Sequence, residues 1–261
     1  MTVSNALTAM ALLATAAVIA GDAELPWGDA VNGLASRLAL TTPNPALGQA
    51  IHVRLEVRNV GAQPAQFDSQ QSAVNNPLLV IGPDGREAPN IGGSFQTTGG
   101  ATTLPPGQTR TIVEKLNVVD QYLIERPGRY TIQTRSRGGV PASNVLTVTV
   151  QPGQLTDFQK LLVGLHAAAP KGWRVTRYGD SIVFLHTPTR LKADAASISL
   201  DFYKEPVGGP KPIRGAPMPI LLGETSLGQA WLSAESQTAV DRWPDYAKVI
   251  GAEVTKFQKP K

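Results

Sequence analysis

The chain has 261 residues, a formal net charge of +4, a pI near 9.4 and no cysteine. Lacking thiols, it has no disulfide, thiol nucleophile or cysteine-based zinc site, and no cysteine for lipid attachment at a cleavage site. Lys and Arg never form a consecutive run and aromatic residues are only 6% of the chain, which argues against nucleic-acid binding.

In chain order, the first feature is an uncharged apolar block, Ala6 to Ala20 (ALTAMALLATAAVIA). It is too short for a comfortable bilayer span and suits the hydrophobic region of a signal peptide. Small residues at Val18-Ile19-Ala20 or Gly21-Asp22-Ala23 supply the cleavage site, although no Lys or Arg precedes the block. No later apolar run reaches membrane-helix length, so the expected mature chain has no transmembrane segment. The expected organisation is a signal peptide over 1–23, a β-sandwich over 24–152 and a small α+β domain over 153–261.

Alternation with period 2 dominates the next stretch, which is how half-buried antiparallel strands read. Leu34 to Leu40 predicts an opening strand, broken at Thr42-Pro43-Asn44-Pro45. From Ile51 to Val57, Ile51, Val53, Leu55 and Val57 point one way and His52, Arg54, Glu56 and Arg58 the other. A turn at Asn59-Val60-Gly61 precedes a return over Ala65 to Asp68, and Pro77 to Ile81 ends at a Gly82-Pro83-Asp84-Gly85 turn. The Gly- and Thr-rich stretch Asn90 to Thr103 reads as a mobile loop and as the best recognition loop of this half. Leu104 to Leu116, Pro127 to Arg135 and Ser143 to Val150 complete the strands of an antiparallel sandwich.

At Gln151-Pro152-Gly153 the period changes to 3.6. Thr156 is an N-cap, Asp157 a first-turn acid, and Phe158, Leu161, Leu162 and Leu165 form one apolar stripe. Trp173 to Tyr178 and Ser181 to His186 predict a hairpin across Gly179-Asp180, with Ser197 to Tyr203 as a third strand. A Pro/Gly-rich excursion covers Glu205 to Pro219. Leu227 to Ala234 predicts a fourth strand, Trp243 to Ile250 a short helix stopped by Gly251, and Val254 to Phe257 a closing strand.

The segments RNVG (Arg58 to Gly61), LPPGQTRT (Leu104 to Thr111), PGRYTI (Pro127 to Ile132) and SNVLTVTV (Ser143 to Val150) together resemble bacterial extracytoplasmic immunoglobulin-like domains. The opening from Trp27 to Leu34 (WGDAVNGL) is similar to that of such domains in exported planctomycete proteins of unknown role. The resemblance spans roughly residues 27 to 150 and implies an immunoglobulin-like fold without a catalytic motif. The spacing of RNVG, LPPGQ and PGRY is also similar to the Bacillus-type intracellular proteinase inhibitor domain, a sandwich proposed to act on serine proteases.

The three histidines, His52, His166 and His186, form no His-Glu-x-x-His motif or close pair. His52 reads as a solvent-face strand residue, His166 as a helix C-terminal donor and His186 as a strand end able to approach His166. Nucleophile elbows, Ser-x-x-Lys pairs and phosphate loops are absent, and the carboxylate pairs Asp201/Glu205 and Asp241/Asp245 are only local neighbours. Trp173 and Trp231 read as core; Trp27 and Trp243 are the tryptophans suited to surface contact. No residue is therefore assigned as catalytic, cofactor-binding or metal-ligating, and no cofactor is expected.

The second half is the basic half, with 14 Lys and Arg against 10 Asp and Glu over residues 151–261. Clustering of Lys160, Lys171, Arg174, Arg177, Arg190, Lys192, Lys211 and Arg214 would attract acidic polysaccharide or anionic surfaces. The resulting expectation is an exported, non-catalytic binding or scaffolding protein of the cell envelope or extracellular space. Its expected partner is a protein or a cell-surface polysaccharide. The second reading is a protease inhibitor acting through loops of the sandwich, and the third an enzyme in the C-terminal domain.

Overall fold

A computed structural model describes residues 25–93, 99–186, 196–204, 216–235, 239, 241 and 243–259. The expected signal peptide over 1–23 lies outside them. Among the described residues antiparallel sheet is the commonest regular structure, and helices are few. In chain order the elements are β1 (Leu34–Leu40), β2 (His52–Asn59), β3 (Ala65–Asp68), α1 (Ser69–Ala73), β4 (Leu78–Ile81), β5 (Ala101–Leu104), β6 (Thr109–Asn117), α2 (Val118–Gln121), β7 (Gly128–Thr134) and β8 (Leu146–Val150). After them come α3 (Asp157–Ala168), β9 (Trp173–Tyr178), β10 (Ser181–His186), β11 (Ala196–Tyr203), β12 (Ile220–Thr225), β13 (Gly228–Ala234) and α4 (Trp243–Thr255).

Two three-stranded sheets, β1-β2-β6 and β4-β7-β8, contribute to one core. Val53 and Leu55 of β2 bury with Val80, Ile132 and Val148 from the other sheet, and each such side chain contributes roughly 1.5–3 kcal/mol. On one side of β2 the alternation is realised, since Ile51, Val53, Leu55 and Val57 are buried; on the other Arg58 is exposed but Glu56 is buried against Arg37. Buried Asn144 ties one margin, where its Oδ1 accepts from the Leu38 N–H at 2.7 Å and its Nδ2 donates to the Leu38 carbonyl at 3.2 Å. That amide stands in for a backbone peptide, so β1 meets the β8 side without a ladder. Asn59, also fully buried, donates to the carbonyls of Gln63 and Leu104 and accepts from the Gly61 N–H, which fixes the RNVG turn. Tyr122 sits in the same core, its hydroxyl accepting from the Leu78 N–H at 2.8 Å and sharing its proton between the Leu78 carbonyl and Asn76 Oδ1.

Two expectations in this half are corrected. The run from Asn90 to Thr103 is not wholly a loop, because Ala101–Leu104 forms β5 and pairs with β3, while residues 94–98 lie outside the described set. Likewise Leu104 to Leu116 is two strands: Pro105 has no N–H to give a ladder, and Gly107 turns at φ +73° between β5 and β6. The return strand β3 consequently pairs with β5 rather than with β2.

In the second half a five-stranded antiparallel sheet, ordered β12-β13-β11-β10-β9, carries α3 and α4 against one face. Thr156 and Gln159 form a capping box at α3, satisfying two otherwise orphan N–H groups. Leu161, Leu162 and Leu165 bury beneath that helix, and Tyr246, Ile250 and Val254 beneath α4. The spacing of four in the α4 set explains a further correction: the helix runs through Gly251 to Thr255, so Val254 is a helix residue and no closing strand forms among the described residues. Gly251 itself faces open space and has no need of a left-handed conformation. Strand β12 was hidden beside the Pro/Gly-rich excursion, of which residues 205–215 lie outside the described set.

Candidate functional site

The two halves meet along β9. Segment Asn90 to Gly92 runs beside this edge strand, with the Arg177 N–H donating to the Ile91 carbonyl at 2.6 Å and a parallel bridge between Gly92 and Arg177. On its other side the segment is anchored to α2, since the Gln121 carbonyl accepts from the N–H groups of Ile91 and Gly92 and from Asn90 Nδ2. Arg174 adds a clamp from Nη2 to Asn90 Oδ1 at 2.7 Å and to the Gly92 carbonyl at 3.0 Å. Behind it, Ile91 and Leu123 of the first half enter the core of the second. The junction is equally close at Gly48 (φ +89°), where an added Cβ would stand 1.9 Å from the Gln154 carbonyl oxygen.

Beside this seam opens a cleft of about 350 Å³. Gly48, Ala50, Val119 and Asp120 wall it from the first half, and Phe158, Arg177, Phe202 and Leu227 from the second. Arg177 is pre-organised: Nη1 meets Asp120 Oδ1 at 2.6 Å, Nε donates to the Gly179 carbonyl at 2.9 Å, and the guanidinium lies 5.0 Å from the Phe158 ring centroid. Phe158 in turn packs edge-on against Phe202 at 6.2 Å. Lys204 and Asp180 stand exposed at the rim. Apolar ring edges beside a fixed cation, with both charge signs at the mouth, suit a small polar or zwitterionic group with an apolar part.

A second seam cavity, about 250 Å³, is more polar and is lined in part by Asp84, Glu87, Glu125, Arg126, Tyr130 and His166. Burial pushes His166 below its ordinary value, opposed by the Glu125 charge. Burial raises the Tyr130 hydroxyl, whose proton is donated to the Arg126 carbonyl at 2.8 Å. The Arg86 backbone N–H holds the Asp84 carboxyl below its ordinary value.

The residues weighed in the sequence are dispersed. His52 contacts Thr42 Oγ1 at 3.2 Å, and His186 stacks on Trp173 at 4.9 Å. Among the described residues no three His, Cys, Asp or Glu side chains are placed to hold a metal ion. Asp201 accepts from Ser181 Oγ at 2.5 Å, while Glu205 lies outside the described residues. Trp173 is packed on Tyr246 at 3.8 Å against the core, as its sequence context implies. Trp27 lies beneath the Arg37 guanidinium at 4.5 Å; the Trp243 and Asp245 side chains are outside the described set.

Trp231 is a correction. Its neighbours Ala230 and Leu232 take the buried face of β13, and the indole lies on the opposite, partly exposed face. Of the basic residues whose clustering was weighed, Arg174 and Arg177 are engaged in the seam and Lys160 pairs with Asp157, while Arg190, Lys192, Lys211 and Arg214 lie outside the described residues. Arg177 was read only as surface charge. Its signal is its position, on an edge strand next to a capped helix, where a long cation can cross to a neighbouring unit.

No family model and no curated protein matches this chain. Among solved structures it is similar to a β-glucosidase from Listeria innocua (14% identity, 46% of this chain, 16% of that one, TM-score 0.26). It is also similar to a β-glucosidase from Erythrobacter marinus (16% identity, 46% and 15% coverage, TM-score 0.27). The sporulation control protein Spo0M from Bacillus subtilis is similar at 13% identity, 67% of this chain, 76% of that one and a TM-score of 0.29. The chain spans about one sixth of the length of those glucosidases, and likeness at these scores carries no argument about fold or activity. Among the described residues no helix is long and apolar enough to cross a membrane.

Proposed function

We propose that this is an exported, non-catalytic binding or scaffolding protein of the cell envelope or extracellular space. In this reading an immunoglobulin-like β-sandwich over 24–152 is followed by a small α+β module over 153–261. The sandwich is supported by the two three-stranded sheets that share one core, and by the buried Asn59 that gives the RNVG turn a structural purpose. The observation that carries the binding role is the seam cleft, walled by both halves around an Arg177 already held in position by Asp120 and Phe158. A group bound there touches both units at once, which is how a scaffold couples ligand to domain geometry.

The test has two parts. Mass spectrometry of native protein should recover a chain lacking residues 1–20 or 1–23 from the envelope or medium, and a Met1-containing cytosolic chain would overturn the export claim. Screening the full chain by thermal shift against short peptides and oligosaccharides should yield a hit that Arg177→Ala weakens at least tenfold. If no compound shifts the melting temperature, or Arg177→Ala binds equally well, the cleft has no binding role.

A further inference from the structure

The five-stranded sheet has a second face that neither helix covers. Along β13 the side chains of Ala230, Leu232 and Ala234 are buried under α3 and α4, so Gln229, Trp231 and Ser233 project oppositely. Antiparallel register sets Trp231 between Asp201 of β11 and Leu221 of β12, and sets Gln229 beside Tyr203 and Ser233 beside Ser199. Trp231 is partly exposed and Leu221 is 46% exposed, so this face holds an accessible indole with Leu221 on one side and Asp201 on the other, flanked by Gln229 and Ser233.

The polar groups are oriented. Trp231 Nε1 donates to Gln229 Oε1 at 3.4 Å, a long contact along the strand. Ser181 Oγ donates to Asp201 Oδ1 at 2.5 Å, and among the described residues no donor meets Oδ2. Diagonal neighbours on an antiparallel pair lie roughly 7–8 Å apart, so the Tyr203 ring flanks the same patch.

From this juxtaposition we propose that the outer face centred on Trp231 binds a neutral polysaccharide chain. The C–H face of a pyranose would lie on the indole, and its hydroxyls would meet Asp201, Gln229 and the serines. The chemistry favours a glycan over a protein partner. Ser199, Ser233 and the Asp201 carboxylate share this face with the rings, and serine and aspartate are depleted in the cores of protein interfaces. The Asp201 charge also disfavours acidic glycans. The inference names a ligand class for the binding role proposed above but uses a different surface. It requires neither export nor the seam cleft, so its failure is distinct from theirs.

The experiment is retention of the purified full chain on insoluble cellulose, chitin, β-1,3-glucan and xylan in 1 M salt, with affinities from depletion isotherms. Retention on at least one matrix is expected, with at least a tenfold loss in Trp231→Ala and no more than a threefold loss in Trp231→Phe. As a measurement independent of any truncation that unfolds, the soluble oligosaccharide of the retaining polymer is titrated into the unaltered protein. The Trp231 indole N–H resonance, assigned by its disappearance in Trp231→Phe, should shift. No retention on all four matrices, loss of retention at 1 M salt, equal binding by a folded Trp231→Ala, or an unmoved indole resonance each overturns the proposal.

Discussion

The two large cores differ in what they are made of. The core between the three-stranded sheets uses only residues from Leu38 to Val150, whereas the core under α3 and α4 includes Ile91 and Leu123 from the other half of the chain. Dependence therefore runs one way. The sandwich-like half closes on itself, and the helical half is completed by a segment whose own backbone is tied to α2 by the Gln121 carbonyl. A boundary in chain order need not be a boundary in packing.

Separating the halves should have the largest effect. Expressed alone, residues 24–152 are expected to melt cooperatively, and residues 153–261 to show no cooperative transition by circular dichroism or calorimetry. A sharp melt of the second fragment alone would break the contrast. Next in size is Ile91→Ala in the full chain, expected to cost about 2–5 kcal/mol, as large-to-small core changes do. Its distinguishing readout is hydrogen exchange: amides of α3 and α4 should lose protection while β7 and β8 keep theirs. Equal loss in both halves would mean that a single core operates.

The smallest effect concerns pH. Burial holds the His166 value in the folded chain below the ordinary 6.5, so the unfolded chain binds more protons between those two values. Stability conferred by the seam is therefore full above about 6.5 and declines as pH falls through this window. Asp84 and Asp157 are depressed below 3.8 and act only at lower pH, so the windows do not overlap. Between pH 7.5 and 5.5 the melting temperature should fall less in His166→Gln than in the unaltered chain. Identical slopes would show that the Glu125 attraction offsets the burial.

Much of the architecture was legible where periodicity and punctuation agree. Strand β2 reveals its buried face by alternation, and Thr156 announces α3 through its cap. What stayed hidden depends on contacts distant in sequence. Ile91 sits in a Gly-rich stretch with no period, and its core role arises only because β9 has an open edge beside it. Trp231 was misread for a different reason. Alternation shows that a strand has two faces, not which one is covered, and the largest side chain suggested the core. In fact the alanines at 230 and 234 take that side, where small residues let helices approach the sheet closely. Strand β12 was lost because its ladder carries a bulge between Leu221 and Gly223 next to prolines. The cleft was illegible for the same reason as Ile91: Asp120 and Arg177 are 57 positions apart.

The short stretch at Asn90 to Gly92 has one further effect. It shields the β9 margin in part through main-chain pairing, and main-chain pairing does not distinguish one copy of the protein from another. When the seam opens, β9 can be capped again by its own chain or by the equivalent stretch of a neighbour. The second outcome is domain swapping, and it yields an intertwined dimer with the same contacts as the monomer. The share exchanged would then rise with protein concentration.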